Sequence, residues 1–212
     1  MEYPIELVFG AACYAQRING AYIKNAWPSG QTALGEKITP TNRSIMLAAL
    51  APTDNPITEE DMELGRKVRS HYQGLTFKIL KNESLSEFER TALEIVKHET
   101  VSSNYHLAMI CSFPSCHARD TARIEIRDRV TFAAGGYIGS PGSKVTLEVE
   151  VLTSFFSQKW QTNYVTAITE ADQAIFFSFR EKLAAGSKLK IFGTVKGHRE
   201  NQTQLTRVKV LE

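Results

Sequence analysis

Residues 144–212 read KVTLEVEVLTSFFSQKWQTNYVTAITEADQAIFFSFREKLAAGSKLKIFGTVKGHRENQTQLTRVKVLE. Five short apolar-alternating runs follow one another here, separated by turn residues, which is the signature of a small all-β barrel. Val145, Leu147, Val149 and Val151 alternate with Thr146, Glu148 and Glu150, so one face goes to a core and the other to water. The second run, 160–168, is rich in the aromatic and β-branched residues that suit a pleated surface. Residues 174–179 form a third, tightly apolar run. Leu189, Ile191 and Val195 belong to a fourth, and Gly193 inside it marks a bulge or a sharp barrel bend. The fifth holds Leu205, Val208, Val210 and Leu211, with the alternation broken around Thr206 and Arg207.

Between the third and fourth runs, REKLAAGSK (residues 180–188) has the length for one helical turn ending at Gly186. Five strands with a short helical link after the third is the layout of an OB-fold, a Greek-key barrel that commonly binds oligonucleotides. The run GTVKGHRENQTQLTRVKV, residues 193–210, resembles the closing hairpin of OB-like domains in phage replication proteins. That resemblance implies bacteriophage origin and a part in DNA replication or recombination. It implies single-stranded DNA as the partner, ahead of RNA. Replication proteins are the further partners it suggests, met through the region upstream of the barrel.

The full chain has 212 residues, which fits one large domain or two small ones. An apolar share of 42% with 23% charged residues is that of a soluble globular protein. No run of eighteen apolar residues is present, so no membrane span is expected. The start, MEYPIELVFG, lacks the basic flank and long apolar core of a signal peptide. Three cysteines, an odd count, do not make a disulfide framework. The expected compartment is the cytoplasm, that of a host cell for a phage-encoded chain. A net charge of +2 is too small to announce nucleic-acid binding. Its distribution favours the barrel, with ten Lys/Arg against seven Asp/Glu from residue 144 onward and fifteen against sixteen before it.

Upstream of the barrel the signals are helical. Residues 4–18 space small and apolar residues as a buried helix does, with Val8-Phe9 as an alternative strand start, and Asn19-Gly20 breaks the run. Residues 21–24 read as a short extended segment and 25–39 as loop, with Trp27 and Pro28 anchoring it. Residues 44–51 read as a compact helix ended by Pro52, Asp54, Asn55 and Pro56. Thr58 caps the next helix, with Glu59, Glu60 and Asp61 at its positive end, although Gly65 and Gly74 interrupt its pattern. Ser84 and Ser86 both offer a capping box for a helix reaching about His98, with Phe88, Ala92, Ile95 and Val96 on its buried side. Residues 107–113 are a short apolar run stopped by Pro114. Residues 118–128 interleave charges with Ile124 and Ile126. The Gly-rich AAGGYIGSPGS then places a domain border at 135–143, unless Tyr137, Ile138 and Gly139 pair onto the barrel as a lead-in strand. The expected plan is α+β: a helical domain 1–134, a linker 135–143 and a five-stranded OB-like β-barrel 144–212.

Two loops of such a barrel border one groove. The first, residues 153–160, carries Phe155, Phe156, Lys159 and Trp160, and single-strand binders stack bases on aromatics of this kind. Trp160, Thr162 and Tyr164 fall on one side of the second strand. The same aromatics could instead fill the barrel and its ends. The second loop, residues 196–202, offers Lys196, His198 and Arg199 to phosphates and Asn201 or Gln202 to bases. Arg180, Arg207 and Lys209 extend this basic track together with Lys159. A solvated polar hairpin is the plainer reading of the second loop. Basic and aromatic residues arriving together at both loops favour the groove.

His106, Cys111, Cys116 and His117 have the residue types of a zinc site, but structural zinc asks for two close pairs and only Cys116-His117 is close. No metal and no cofactor is expected. No phosphate-binding loop, dinucleotide fingerprint, serine elbow or H-E-x-x-H occurs, so no enzyme is expected. The leading expectation is non-catalytic binding of single-stranded DNA. The alternatives are a protein-interaction or assembly module without nucleic-acid binding, or an enzyme subunit whose site the sequence does not display.

Overall fold

The structure, a computed structural model, describes residues 1–32, 35–51 and 56–211, without the side chains of residues 29–37. It is α+β, a helical N-terminal region followed by a closed five-stranded β-barrel. The chain divides into two compact units, Met1–Asp120 and Thr121–Glu212.

The first unit is built around one helix. After a short strand β1 (Tyr3–Pro4), helix α1 (Ile5–Asn19) buries Ile5, Val8, Phe9, Ala11, Ala12, Cys13 and Ala15. Val8 and Phe9 are therefore helical. The small residues let neighbours come close. Helix α3 (Glu59–Gln73) crosses α1 at Gly65, where a Cβ would stand 2.8 Å from the Gly10 nitrogen and 2.9 Å from the Phe9 carbonyl carbon. That contact explains why a helix-weakening glycine sits in the middle of an unbroken helix. Gly20, left-handed at φ 66, closes α1.

The helix starts follow their caps. Thr58 and Asp61 form a reciprocal capping box at α3, and Arg17 from the last turn of α1 grips the same carboxylate through Nε at 3.0 Å and Nη2 at 2.8 Å. Asp61 is buried, and the Arg17 hydrogen bonds with those from Thr58 hold its carboxyl below the usual range against the cost of burial. Ser86 and Glu89 form the same box at α5 (Glu87–Ile95). The short helix α4 (Thr76–Leu80) supplies Lys78, whose Nζ lies 2.7 Å from Glu89 and helps pull that carboxyl down to about 2. Phe9, Tyr72, Phe88 and Phe113 form a connected aromatic centre.

Four expectations change here. Residues 25–39 are not a plain loop. Strands β2 (Trp27–Thr32) and β3 (Gly35–Thr39) pair antiparallel from Trp27–Thr39 to Thr32–Gly35. Pro28 sits at the bulge, where a missing N–H is tolerated. Residues 21–24 form no strand; Ile23 is held instead by the buried Asn42 at the start of α2 (Asn42–Ala49), whose Oδ1 accepts the Ile23 N–H at 2.8 Å. Pro52, Asp54 and Asn55 lie outside the described residues. Helix α5 is shorter than the expected run to His98 and ends at Val96, after which Thr100–Val101 forms β4 against β1. Pro114 does not stop a helix. It lies in the first turn of α7 (Phe113–Thr131), where its missing N–H would have had no helical partner, and α6 (Asn104–Ile110) ends before it.

In the second unit the five runs form β5 (Lys144–Ser157), β6 (Thr162–Thr169), β7 (Ala174–Phe179), β8 (Lys188–Arg199) and β9 (Gln202–Leu211). Around the barrel the order is β5-β6-β7-β9-β8, with β8 returning to β5. Every pairing is antiparallel except β7 with β9. That order is OB-like. Val149, Val151, Val165, Ala167, Ile175, Phe177, Ile191, Val195 and Leu205 fill the interior. The register of β8 against β9 shifts at Gly193, where a bulge or bend was expected. A bulge at Val151–Thr153 turns Leu152 out of the barrel, where it packs with Ile168, Ala174 and the helix-end residues Val130 and Ala133.

The link after β7 holds no helical turn. It is drawn back onto β5, with the Gly186 N–H donating to the Val151 carbonyl at 2.7 Å and the Val151 N–H donating to Ser187 at 2.9 Å. Leu183 packs on the barrel core, so extended backbone satisfies both its apolar and its polar groups. Residues 135–143 belong to the second unit and are bonded to the barrel. Gly135 donates to Asp172 at 2.9 Å and Gly142 to Val195 at 2.8 Å, while Ile138 is buried without forming a strand.

Candidate nucleic-acid interface

The expected loop 153–160 is mostly strand. β5 and β6 stay in register through Phe155–Tyr164, Phe156–Asn163 and Ser157–Thr162, so only residues 158–161 turn. Directly paired residues share a face. Asn163 and Val165 are buried, so Tyr164 between them points outward, and Phe155 opposite it does the same. Phe155 is 68% exposed. Phe156 shares the side of Asn163 but lies at the barrel end and stays 47% exposed.

β7 continues this outer face. Ile175, Phe177 and Phe179 pack with the barrel core, which leaves Phe176 outside, diagonal to Tyr164. The two rings stack at 5.6 Å with 15° between planes. Phe155, Tyr164 and Phe176 thus form an aromatic row across three adjacent strands. Sequence reading took residues 174–179 as one tightly apolar run and did not single out Phe176. The signal was its position one step out of phase with Ile175 and Phe177.

Trp160 lies in the turn rather than in β6, 64% exposed, with Lys159 Nζ 5.2 Å from its ring centroid. Contact of this kind is a cation–π pair. Arg180 follows β7, level with Thr162, and its carbonyl accepts from Asn163 Nδ2 at 3.0 Å. Phe156, Lys159, Trp160 and Arg180 therefore share one end of the barrel. Arg207 and Lys209 lie further along β9, past Leu205, where its pairing with β7 ends, and both are exposed.

The structure treats the second loop differently. The His198 ring is held against the barrel's lead-in segment. Its ring stacks on Tyr137 at 4.5 Å, Nε2 lies 3.1 Å from the Gly139 carbonyl and Nδ1 lies 3.3 Å from Thr203 Oγ1. Thr203 in turn accepts the Ile138 N–H at 2.9 Å. Asn201 Nδ2 lies 3.0, 3.2 and 3.1 Å from the carbonyls of Val130, Thr131 and Ala133, so its two amide hydrogens are engaged at the end of α7. Arg199 pairs with its neighbour Glu200 at 3.0 Å. Lys196 is exposed on β8, which β5 on one side and β7 with β9 on the other separate from β6, so it does not join the aromatic row.

The cysteines take core positions. Burial pushes the Cys13 and Cys111 thiols up to about 12, and Cys111 Sγ contacts Met46 Sδ at 3.4 Å. Cys116 is half-buried beside Arg119 Nη2 at 3.1 Å. Among the described residues no three His, Cys, Asp or Glu side chains are arranged to hold a metal ion.

No protein-family model matches this chain, and no curated protein and no solved structure matches it. The fold and the site define a class by themselves: a closed, OB-like five-stranded barrel with an outward aromatic row across β5, β6 and β7, in which Phe155 is exposed and Tyr164 and Phe176 are half-buried.

Proposed function

We propose that the barrel binds single-stranded DNA without catalysis, by stacking bases on Phe155, Tyr164, Phe176 and Trp160. Phosphate contacts come from Lys159, Arg180, Arg207 and Lys209, with Phe156 at the same end. The observation that carries the reading is the three-ring outer row, because outward-facing aromatics aligned across strands are platforms for unstacked bases. Replication or recombination in a phage-infected cytoplasm is the setting in which this activity would serve, with RNA as a weaker ligand. The test is a fluorescence titration of the full chain with single-stranded DNA, duplex DNA and RNA at several salt concentrations. Preference for single strands, with a log–log salt slope of about −0.7 per neutralised phosphate, is the expected result. Equal affinity for duplex defeats the proposal.

A second reading has its own observation. Helix α4 leaves Phe77 68% and Leu80 71% exposed in the first unit, which favours a protein-docking role for the helical region. Replication proteins are the partners that join the two readings. An assembly module alone would show no salt-sensitive oligonucleotide binding.

A further inference from the structure

In the first unit, Tyr72 of α3 packs its ring on Phe113 of α7, with 4.3 Å between centroids. Tyr72 is 2% exposed, and its buried hydroxyl finds no hydrogen-bond partner of normal geometry among the described residues. A buried donor left in that state is costly, and native structures keep few of them. The group it faces is the sulfur of Cys116. Cys116 lies one helical turn beyond Phe113, on the same side of α7. Its sulfur and the Asp120 carboxylate both act on the hydroxyl. Burial first, and then these two groups, hold Tyr72 protonated well above the usual tyrosine range, with Arg119 opposing them in part. Tyr72 is therefore a donor at every physiological pH.

A second donor reaches the same sulfur. Arg119 Nη2 lies 3.1 Å from Cys116 Sγ. Two donors thus converge on a thiol sulfur, which is a weak acceptor. An oxygen bonded to that sulfur would accept from both. Access points the same way, because Cys116 is half-buried while Cys13 and Cys111 are each 1% exposed.

We propose that Cys116 is a site of reversible oxidation by hydroperoxides, its sulfenic acid held by the Tyr72 hydroxyl and the Arg119 guanidinium. The thiol gives its proton to solvent, and the thiolate attacks one peroxide oxygen. The sulfur electron pair forms the S–O bond as the O–O bond breaks, and the other oxygen leaves as hydroxide and is protonated to water. Sulfur is oxidised and the peroxide reduced, one electron pair passing between them. The guanidinium stands beside the attacking thiolate, the setting in which cysteines react. With both other thiols buried, return to the thiol falls to an external thiol such as glutathione. The site does not depend on the nucleic-acid reading.

The test exposes the reduced full chain to a small excess of hydrogen peroxide, traps it with dimedone, which adds to sulfenic acids, and maps the adduct by peptide mass spectrometry. The adduct is expected at Cys116 and not at Cys13 or Cys111, and glutathione added before the trap should abolish it. Arg119 is exposed, so Arg119→Gln should melt like wild type, and it should form the adduct roughly tenfold more slowly or worse, the effect of losing one charged hydrogen bond. Tyr72→Phe keeps the ring in its packing, so its reduced form should melt and oxidise like wild type. Its sulfenic acid, short of one donor, should pass to the irreversible sulfinic acid several-fold faster. A purely structural role for either residue would move neither the rate nor the lifetime. No adduct at Cys116 in the folded chain, equal labelling of all three cysteines, a folded Arg119→Gln that reacts at the wild-type rate, or a Tyr72→Phe sulfenic acid as long-lived as wild type would overturn the proposal.

Discussion

Phe176 and Phe177 are neighbours in the chain and end on opposite faces of β7, one half-buried against Tyr164 on the outer face and one in the barrel core. Replacing Phe176 by Ala should therefore leave the fold intact and remove a stacking platform, weakening single-strand binding by roughly 1–3 kcal/mol with the salt slope unchanged. Arg180→Ala should instead lower the slope by about 0.7. Parallel titrations at three salt concentrations, each with a melting curve, separate the two effects; a Phe176→Ala protein that binds like wild type removes the row from the site. Gly65 makes the opposite kind of prediction. A methyl there meets backbone atoms of α1 that cannot swing aside, so Gly65→Ala should destabilise the first unit by about 1–3 kcal/mol despite the better helix propensity of alanine. Urea unfolding measures it, and an unchanged or raised midpoint would show that α1 and α3 can part freely.

Between elements, α3 and α7 meet through two histidines. The His71 and His117 rings lie 4.9 Å apart, edge to face, with Asp120 Oδ2 3.9 Å from His71 Nε2. Burial and then the nearby His71 hold the His117 imidazole below its ordinary value of 6.5, and Asp120 opposes them only in part. The unfolded chain therefore takes up the His117 proton before the folded one does. Stability from this group is complete above about pH 6.5, falls as pH drops below it, and levels off under the folded value. Thermal melts between pH 7.5 and 5 should show that fall, and His117→Gln should flatten it. A midpoint equally steep in the variant would assign the pH dependence elsewhere. The end of α7 makes a different kind of contact. Asn201 Nδ2 reaches two of its terminal carbonyls, Val130 and Thr131, and that of Ala133 just beyond, so the β8–β9 hairpin that was expected to reach a ligand is engaged within its own unit.

At the scale of the molecule the two units carry separate cores, one around α1 and one inside the barrel. A fragment 121–212 keeps every strand of the barrel and the helix end that Asn201 caps. It should fold alone, with a cooperative melt and strand-type circular dichroism. A fragment that stays unfolded would mean that the barrel needs the first unit. Alternation located the five strands, and hydroxyl–carboxylate spacing located the starts of α3 and α5, because both signals act within a few residues of chain. The hairpin 27–39, the extended link after β7, the outward row of Phe155, Tyr164 and Phe176, and the capture of His198 and Asn201 were not legible in that way. The hairpin pairs near neighbours, but the link, the row and the captured side chains depend on partners in other strands and segments. The parallel closure of β7 on β9, the bulges at Leu152 and Gly193 and the docking of residues 130–142 decide which face of each strand meets water, and no local period encodes them.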